Sequence, residues 1–408
     1  MDRRSFIKAS GVTLAGAVAP MFPLAAMAAD QLLVGSILDL SGGLDIYGKP
    51  MADCMTLAVE EQNAAGGLLG KQLKLASYDP QSSMQLYAQF AQQAALKDKA
   101  AVVMGGITSA SREVIRPVLD RYKTLYFYNT QYEGGVCDRN TFCTGVTPGQ
   151  TVAKLIPFAM NKWGKKVYVL AADYNYGQIT SQWVKKFVLE NGGSVASIDF
   201  FPLDVTNFGS TISKIEAAKP DMIVSALVGG SHISFYRQWA AAGMTKKIPL
   251  ASTTFAGGNE HIVLSPAECD GFLVSYNYFQ NLDTPENKAF KARFYKRFGN
   301  DYPNITELAM GTYQGFKLWA EGVKKAGSVD RMKVIKALES GISIDAPSGK
   351  VTLDPATHHC VLNVSIAEVK NKQLDIIKTF PQQKPSDTSA VCNLIKNPRD
   401  NQQYVIKA

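Results

Sequence analysis

The sequence predicts an α/β protein made of two doubly wound lobes that are joined by a hinge of several strands. Two observations support this fold class. Short apolar segments alternate with longer amphipathic ones, which is typical of strands alternating with helices around a parallel sheet. The alternation then restarts after Pro148 and Gly149, so the chain contains two such series in tandem.

The first series runs from residue 32 to residue 128. We expect strands at residues 32–38, 73–78, 101–105 and 124–128, and helices at residues 48–63, 83–97 and 109–122. In the first of these helices Met51, Met55 and Val59 recur at helical spacing, and Gly66 and Gly67 follow its end.

The second series repeats the pattern. We expect helices at residues 152–163, 179–191, 208–217 and 231–242, and strands at residues 166–171, 194–201, 221–226 and 248–252. A strand at 272–275 is followed by helices at 284–298, 307–326 and 330–340 that return to the first lobe, and strands at 349–353 and 361–369 complete the second. Residues 30–149 and 277–346 are therefore assigned to lobe 1, and residues 150–276 and 347–408 to lobe 2.

Residues 1–29 have the pattern of a twin-arginine export signal. An Arg-Arg pair at residues 3–4 precedes an Ala-rich apolar stretch at 9–25 and an Ala-x-Ala step at 26–28. The apolar core is too short to span a membrane. We expect the signal to be removed and the mature protein to be soluble in the periplasm.

The charge pattern is that of a solvated surface. The formal net charge is +8, from 43 Lys and Arg against 35 Asp and Glu. A nucleic-acid-binding protein would cluster its basic residues, whereas the basic runs here do not exceed pairs such as Lys165-Lys166. The sequence therefore predicts no nucleic-acid partner.

Six cysteines follow the signal, and an oxidising compartment permits disulfides between them. Cys137 and Cys143 enclose a short loop, and a bond between Cys360 and Cys392 would hold the C-terminal tail. These four are the disulfide candidates, whereas Cys54 and Cys269 are expected to be free thiols. Spacing alone leaves the connectivity open.

Sequence motifs of catalysis are missing. The turn after the first strand, residues 39–43, lacks the G-x-G-x-x-G spacing, and neither a P-loop nor G-x-S-x-G occurs. His358, His359 and Cys360 are adjacent metal-ligand types, but neighbouring residues on a strand point to opposite faces. We expect no enzyme activity, no cofactor and no metal.

Hydroxyl and phenol groups concentrate in loops that follow predicted strands. Residues 108–111 begin a helix, where small hydroxyls either cap the helix or contact a ligand. Residues 128–134 and 173–176 follow two further strands and are rich in Tyr, Thr and Asn. Loops at the carboxyl ends of parallel strands line one cleft, and these neutral groups suit a small, polar, uncharged solute.

Several stretches carry a family resemblance that covers almost the whole mature chain. They are AVEEQNAAGGLLG (58–70), YDP (78–80), TSASR (108–112), YEG (132–134), DYNY (173–176), DTP (283–285) and IDAPSG (344–349). On these residues the chain resembles the type I periplasmic binding proteins of the branched-chain amino acid ABC transporter family. The YEG, DYNY and IDAP segments resemble the urea and short-chain amide branch in particular.

The resemblance implies two Rossmann-like lobes and the role of substrate-binding component of an ABC importer, with a membrane permease as partner. The lobes would close over the solute by bending near residues 147–151, 270–276 and 344–349. The ligand contacts that it implies are Ser109, Tyr128, Thr130, Tyr174, Tyr176 and one of Thr253 and Thr254. Thr108, Gln131 and Gly229 are further candidates.

Two alternatives stay open at this point. A branched-chain or other amino acid needs an acid for its ammonium group, and Asp173 and Glu260 are the acids on the second-lobe loops. An aromatic or other small metabolite also stays open as the ligand. The protein could instead be an amide-responsive sensor, but an exported chain cannot reach a cytoplasmic regulator. Urea or a short-chain amide is the favoured ligand.

Overall fold

The protein is described here by a computed structural model that covers residues 31–406. The predicted export signal at residues 1–29 lies outside the described residues. Within the described range, no helix is long and apolar enough to cross a membrane. The predicted α/β fold class is confirmed: fourteen strands form one mixed, mostly parallel sheet.

Sixteen strands occur in the described range. The first eight are β1 (Leu32–Ile37), β2 (Leu73–Tyr78), β3 (Val102–Gly105), β4 (Leu125–Tyr128), β5 (Val136–Asp138), β6 (Thr141–Cys143), β7 (Lys166–Ala172) and β8 (Ser194–Phe201). The others are β9 (Met222–Ala226), β10 (Leu250–Ser252), β11 (Leu273–Tyr276), β12 (Ser343–Ala346), β13 (Gly349–Asp354), β14 (His359–Lys370), β15 (Gln373–Gln383) and β16 (Asn401–Gln403).

Thirteen α-helices accompany these strands in residues 31–406. The first seven are α1 (Asp45–Ala64), α2 (Met84–Gln92), α3 (Ser109–Arg121), α4 (Val152–Trp163), α5 (Asn175–Glu190), α6 (Gly209–Ala218) and α7 (Gly230–Ala241). The others are α8 (Glu260–Val263), α9 (Pro266–Cys269), α10 (Pro285–Phe298), α11 (Glu307–Ala326), α12 (Arg331–Leu338) and α13 (Ser386–Ser389). A π-helical turn, Gln93–Lys97, extends α2.

The sheet consists of two parallel sets that share strand β14. The order is β2-β1-β3-β4-β6-β14-β11-β10-β9-β7-β8, and the order reverses direction at β1 in the first set and at β7 in the second. Strand β14 is parallel to β6 at its start and antiparallel to β11 further along. Both sets of carboxyl ends therefore point toward the middle of β14.

Each parallel set has its own apolar core. In the first, Val34, Val102 and Phe127 pack with Phe316 and Trp319 of α11. In the second, strands β7, β9, β10 and β11 pack against α7, which contributes Trp239. Residues of the helices after position 284 pack in the first of these cores.

The C-terminal segment 347–408, expected to complete the second lobe, contacts both sets of strands. Leu362 and Val364 of β14 lie in the first core, whereas Ala367 and Val369 lie in the second. Strand β16 then pairs with β5 in a separate two-stranded sheet.

The expected disulfide pairs are wrong. Cys137 is bonded to Cys392, which lies 255 positions later in the sequence. Cys137 and Cys392 share one small apolar cluster, whereas Cys143 packs with Tyr128 and Tyr132 in a second and Cys360 lies in a third. Cys54 and Cys269 are free thiols, as expected.

His358 and His359, considered above as metal ligands, have separate partners. The His358 ring stacks on Phe142, with ring centroids 4.1 Å apart. His359 is buried: its Nδ1–H donates to the Thr357 carbonyl at 2.7 Å, and its Nε2 accepts from the Tyr132 hydroxyl. Burial lowers the pKa of His359 to about 3, so the ring is neutral at physiological pH.

We predict that Cys137→Ser or Cys392→Ser lowers the free energy of unfolding by about 2–5 kcal/mol, because the bond restricts the unfolded chain. Denaturant melts check the loss, with reduced wild type as the comparison. Peptide mapping without reductant should recover Cys137 joined to Cys392. Recovery of a Cys137–Cys143 peptide would contradict this connectivity.

We also predict that stability falls as pH drops from about 6.5 toward 3. The unfolded state binds a proton at His359 that the folded state excludes, so the unfolding free energy rises with pH over this window. The slope from one such group is at most about 1.4 kcal/mol per pH unit. Urea melts at several pH values should show a shallower slope in His359→Gln; an unchanged slope would mean that His359 titrates normally when folded.

Candidate ligand-binding site

A cleft lies where the carboxyl ends of the two parallel sets meet. Open α/β sheets bind ligands beside the strand at which the strand order reverses, and both reversals contribute loops here. Twelve residues line the cleft: Tyr47, Ile107, Thr108, Ser109, Thr130, Gln131, Tyr174, Tyr176, Val228, Thr254, Gly257 and Leu308.

The first wall is built around the start of helix α3. Gly105 ends β3 with φ of +139°, and a Cβ there would lie 2.1 Å from the Ile37 carbonyl oxygen, so only glycine permits this close turn. Thr108 caps the helix by accepting from the Ser111 N–H at 3.1 Å. The N–H of Ser109 in the first turn has no acceptor within the helix, which leaves a donor at the cleft.

Behind this wall lies a buried ion pair. Arg112 Nη2 is 2.8 Å from Glu133 Oε1, and both side chains have zero exposure. The Arg112 guanidinium also lies 5.0 Å from the Tyr128 ring centroid and 4.6 Å from that of Tyr132. Glu133 accepts the hydroxyl proton of Ser109, so this pair orients a cleft residue.

Tyr128 does not line the cleft, although the sequence placed it among the ligand contacts. It is fully buried, and its hydroxyl donates to the Ile107 carbonyl at 2.9 Å. Its ring packs with Tyr126 on the Arg112 side of β4, while the intervening Phe127 points into the other core. Tyr128 therefore supports the loop that carries Ile107.

The second wall holds Tyr174 and Tyr176, which the sequence placed among the ligand contacts. Their ring centroids are 6.1 Å apart, and Tyr176 lies in the first turn of α5. A Cβ at the next residue, Gly177, would lie 2.0 Å from the Ala172 carbonyl oxygen, so glycine lets α5 start close against β7. The Tyr176 hydroxyl is 2.9 Å from Thr253 Oγ1, which places Thr253 behind Tyr176.

Three of the cleft hydroxyls direct their protons into the protein. Thr130 Oγ1 donates to the Gly106 carbonyl at 3.1 Å, and Thr254 Oγ1 donates to the Leu227 carbonyl at 2.6 Å. Ser109 donates to Glu133. A hydroxyl has one proton and two lone pairs, so these groups can only accept from a ligand.

Hydrogen bonds join the two walls across the cleft. Gln131 Nε2 donates to the Thr253 carbonyl at 2.9 Å, and the Gly229 N–H donates to the Tyr47 hydroxyl at 3.0 Å. Outside the lining, Trp183 Nε1 donates to the Glu133 carbonyl at 3.0 Å. Gly229 thus contributes to closure rather than to the lining.

Sequence reasoning missed five lining residues, namely Tyr47, Ile107, Val228, Gly257 and Leu308. Val228 follows β9 just as the predicted loops follow their strands, so its position was a usable signal. Tyr47 and Leu308 lie in the first turns of α1 and α11, and apolar residues in such positions look like ordinary core in the sequence.

The lining residues are all uncharged. Of the acids considered for an amino acid ligand, Asp173 is exposed and accepts from Gln178 Nε2 at 3.0 Å. Glu260 is buried 2.9 Å from His232 Nε2, and this neighbour lowers the pKa of Glu260 against the effect of burial. Neither acid borders the cleft.

Comparison with known proteins agrees with this architecture. Residues 32–388 match the family model described as periplasmic binding protein domain. A Leu/Ile/Val-binding protein homolog 6 from Brucella melitensis is 22% identical over 358 residues, which cover 86% of this chain and 90% of the relative.

Two solved structures share the fold. A solute-binding protein of an ABC transporter from Rhodopseudomonas palustris, in complex with 3,4-dihydroxybenzoic acid, superposes with a TM-score of 0.79 at 23% identity, covering 88% of this chain and 99% of that one. A leucine-binding protein from Thermotoga maritima gives a TM-score of 0.76 at 21% identity, covering 87% and 99%. Because the family model spans most of its length, the chain belongs to the periplasmic binding protein family.

Proposed function

We propose that this protein is the periplasmic solute-binding component of an ABC importer and that it captures urea or a short-chain amide. The main observation in support is that several cleft groups can only accept hydrogen bonds from a ligand. Ser109, Thr130 and Thr254 present acceptors to the ligand because their protons are bonded elsewhere. A ligand rich in N–H donors and without charge matches these groups.

An amide complements the cleft at both of its ends. Its N–H groups meet the hydroxyl oxygens and Gln131 Oε1, while its carbonyl oxygen meets the N–H at the start of α3. Ile107, Val228 and Leu308 supply an apolar surface for a short alkyl chain. Such a combination of a few directed polar groups with apolar walls is typical of small-molecule sites.

A small carboxylate is the second candidate. The start of α3 suits a carboxylate oxygen, and the names of relatives include leucine-binding and dihydroxybenzoate-bound proteins. Against it, a carboxylate supplies no proton to the cleft hydroxyls. An α-amino acid also needs an acid for its ammonium group, and the lining has none.

The importer role rests on family membership and on closure. Lobe 1 would comprise residues 30–149 and 277–346, and lobe 2 residues 150–276 and 347–408. Bending between the two lobes would open the cleft, and the cross-cleft hydrogen bonds would hold it shut. The twin-arginine pattern provides the export route. The partner is a membrane permease that recognises the closed form. The sensor alternative has no cytoplasmic target after export.

We predict that acetamide and urea raise the melting temperature of the purified protein, since a ligand that binds only the folded state stabilises it by mass action. Leucine and benzoate, tested at the same concentration, should have smaller effects. Calorimetry then gives the affinities. Stabilisation by leucine or benzoate alone would reject the amide proposal while leaving solute binding intact.

We predict that Tyr176→Phe weakens amide binding by about 1–3 kcal/mol, the cost of leaving a buried polar partner unmatched. Tyr168→Phe is the matched control, because its hydroxyl bonds Asp199 at 2.7 Å and lies outside the cleft lining. Calorimetry measures both. Equal affinity in wild type and Tyr176→Phe would place the ligand away from this hydroxyl.

A further inference from the structure

A second cavity lies beside the cleft and shares none of its lining residues. The two are adjacent along the chain: Ala256 and Glu307 border this cavity, whereas Gly257 and Leu308 border the cleft. Asn281 and Gln373 in its lining are exposed, so the cavity opens to solvent on that side.

Glu307 is the unusual group in this cavity. Its side chain is buried, and both carboxyl oxygens are without a hydrogen-bond partner among the described residues. A buried polar group without a partner is costly, and a carboxylate more so. Burial raises the pKa of Glu307 to about 8, and no basic residue of the described chain offsets that effect.

Helix capping does not explain Glu307. It is the first residue of α11, where an acid can favour the helix dipole. The capping bond, however, is made by Thr306, whose side chain accepts from the Ala309 N–H at 3.3 Å. The Glu307 oxygens contact none of the free N–H groups of that turn.

A third acceptor lies in the same cavity. Asn259 Nδ2 donates to the Asn304 carbonyl at 2.9 Å, which leaves the buried Asn259 Oδ1 without a partner in the described residues. The rings of Tyr276 and Phe279 also border the space. Aromatic faces attract cations and pack against alkyl groups.

One donor accompanies these acceptors. Asn304 Nδ2 donates to His261 Nε2 at 2.8 Å, so the proton of this imidazole lies on Nδ1, which is buried and unpaired in residues 31–406. Burial lowers the pKa of His261 to about 4, and the ring is therefore neutral. With Glu307 ionised, the cavity offers three unpaired acceptors and one unpaired donor among the described residues.

We propose that this cavity is a binding site for a primary ammonium group, with Glu307 as its counter-ion. A primary ammonium carries three N–H donors and one positive charge. When the bound ammonium holds Glu307 in its ionised form, the two Glu307 oxygens and Asn259 Oδ1 are three unfilled acceptors. The alkyl part of the amine packs against Phe279, Ile305 and Leu374. The site is independent of the solute bound in the cleft.

Calorimetry with propylammonium chloride tests the site on the mature protein. Wild type should bind the amine, and Glu307→Gln should bind about 10- to 100-fold more weakly, the loss expected for hydrogen bonds to a charged group. Glu321→Gln is the matched control, because Glu321 lies on the same helix, pairs with Lys324 on the surface and borders neither cavity. Its affinity should equal that of wild type.

Tetramethylammonium carries the same charge without N–H donors and should bind much more weakly than propylammonium, because only the charge and the aromatic faces attract it. Asn259→Gly gives a second variant: glycine tolerates the left-handed φ of 63° at this position and removes the third acceptor. It should weaken binding severalfold. Absence of propylammonium binding to wild type, equal binding to Glu307→Gln, or equal binding of tetramethylammonium would each overturn the proposal.

Discussion

The cleft depends on one long strand that belongs to both halves of the sheet. Strand β14 runs parallel to the first set of strands and antiparallel to the second, so the carboxyl ends of both sets point toward its middle. Segments that follow β1, β3, β4, β7, β9 and β10 are thereby brought to one place. Main-chain hydrogen bonds, which any sequence of suitable β propensity can make, create this constraint.

Within that frame, the polarity of the cleft is set by residues behind it. The Arg112–Glu133 pair takes the Ser109 proton, and main-chain carbonyls take those of Thr130 and Thr254. A buried charge pair without net charge can orient a hydroxyl while adding little field to the ligand. Glu307 differs from Glu133 because its buried carboxyl has no such partner among the described residues.

The sequence predicted the alternating elements and the loops at the ends of β3, β4 and β7 because these depend on local patterns. It could not predict which face of β4 carries Tyr128, since strand alternation gives two faces but does not say which one meets the cleft. The Cys137–Cys392 bond could not be predicted for another reason. It depends on the pairing of β16 with β5, a contact between distant segments of the chain.

The cross-cleft hydrogen bonds bear on how fast solute can leave. Gln131, Tyr47 and Trp183 join the walls through protein atoms alone, so the closed form has its own stabilisation that owes nothing to the ligand. Escape then requires these bonds to break, whichever solute is inside. Different ligands would then have similar residence times, set by the rate at which the cleft opens. The protein would discriminate among solutes mainly through their rates of binding.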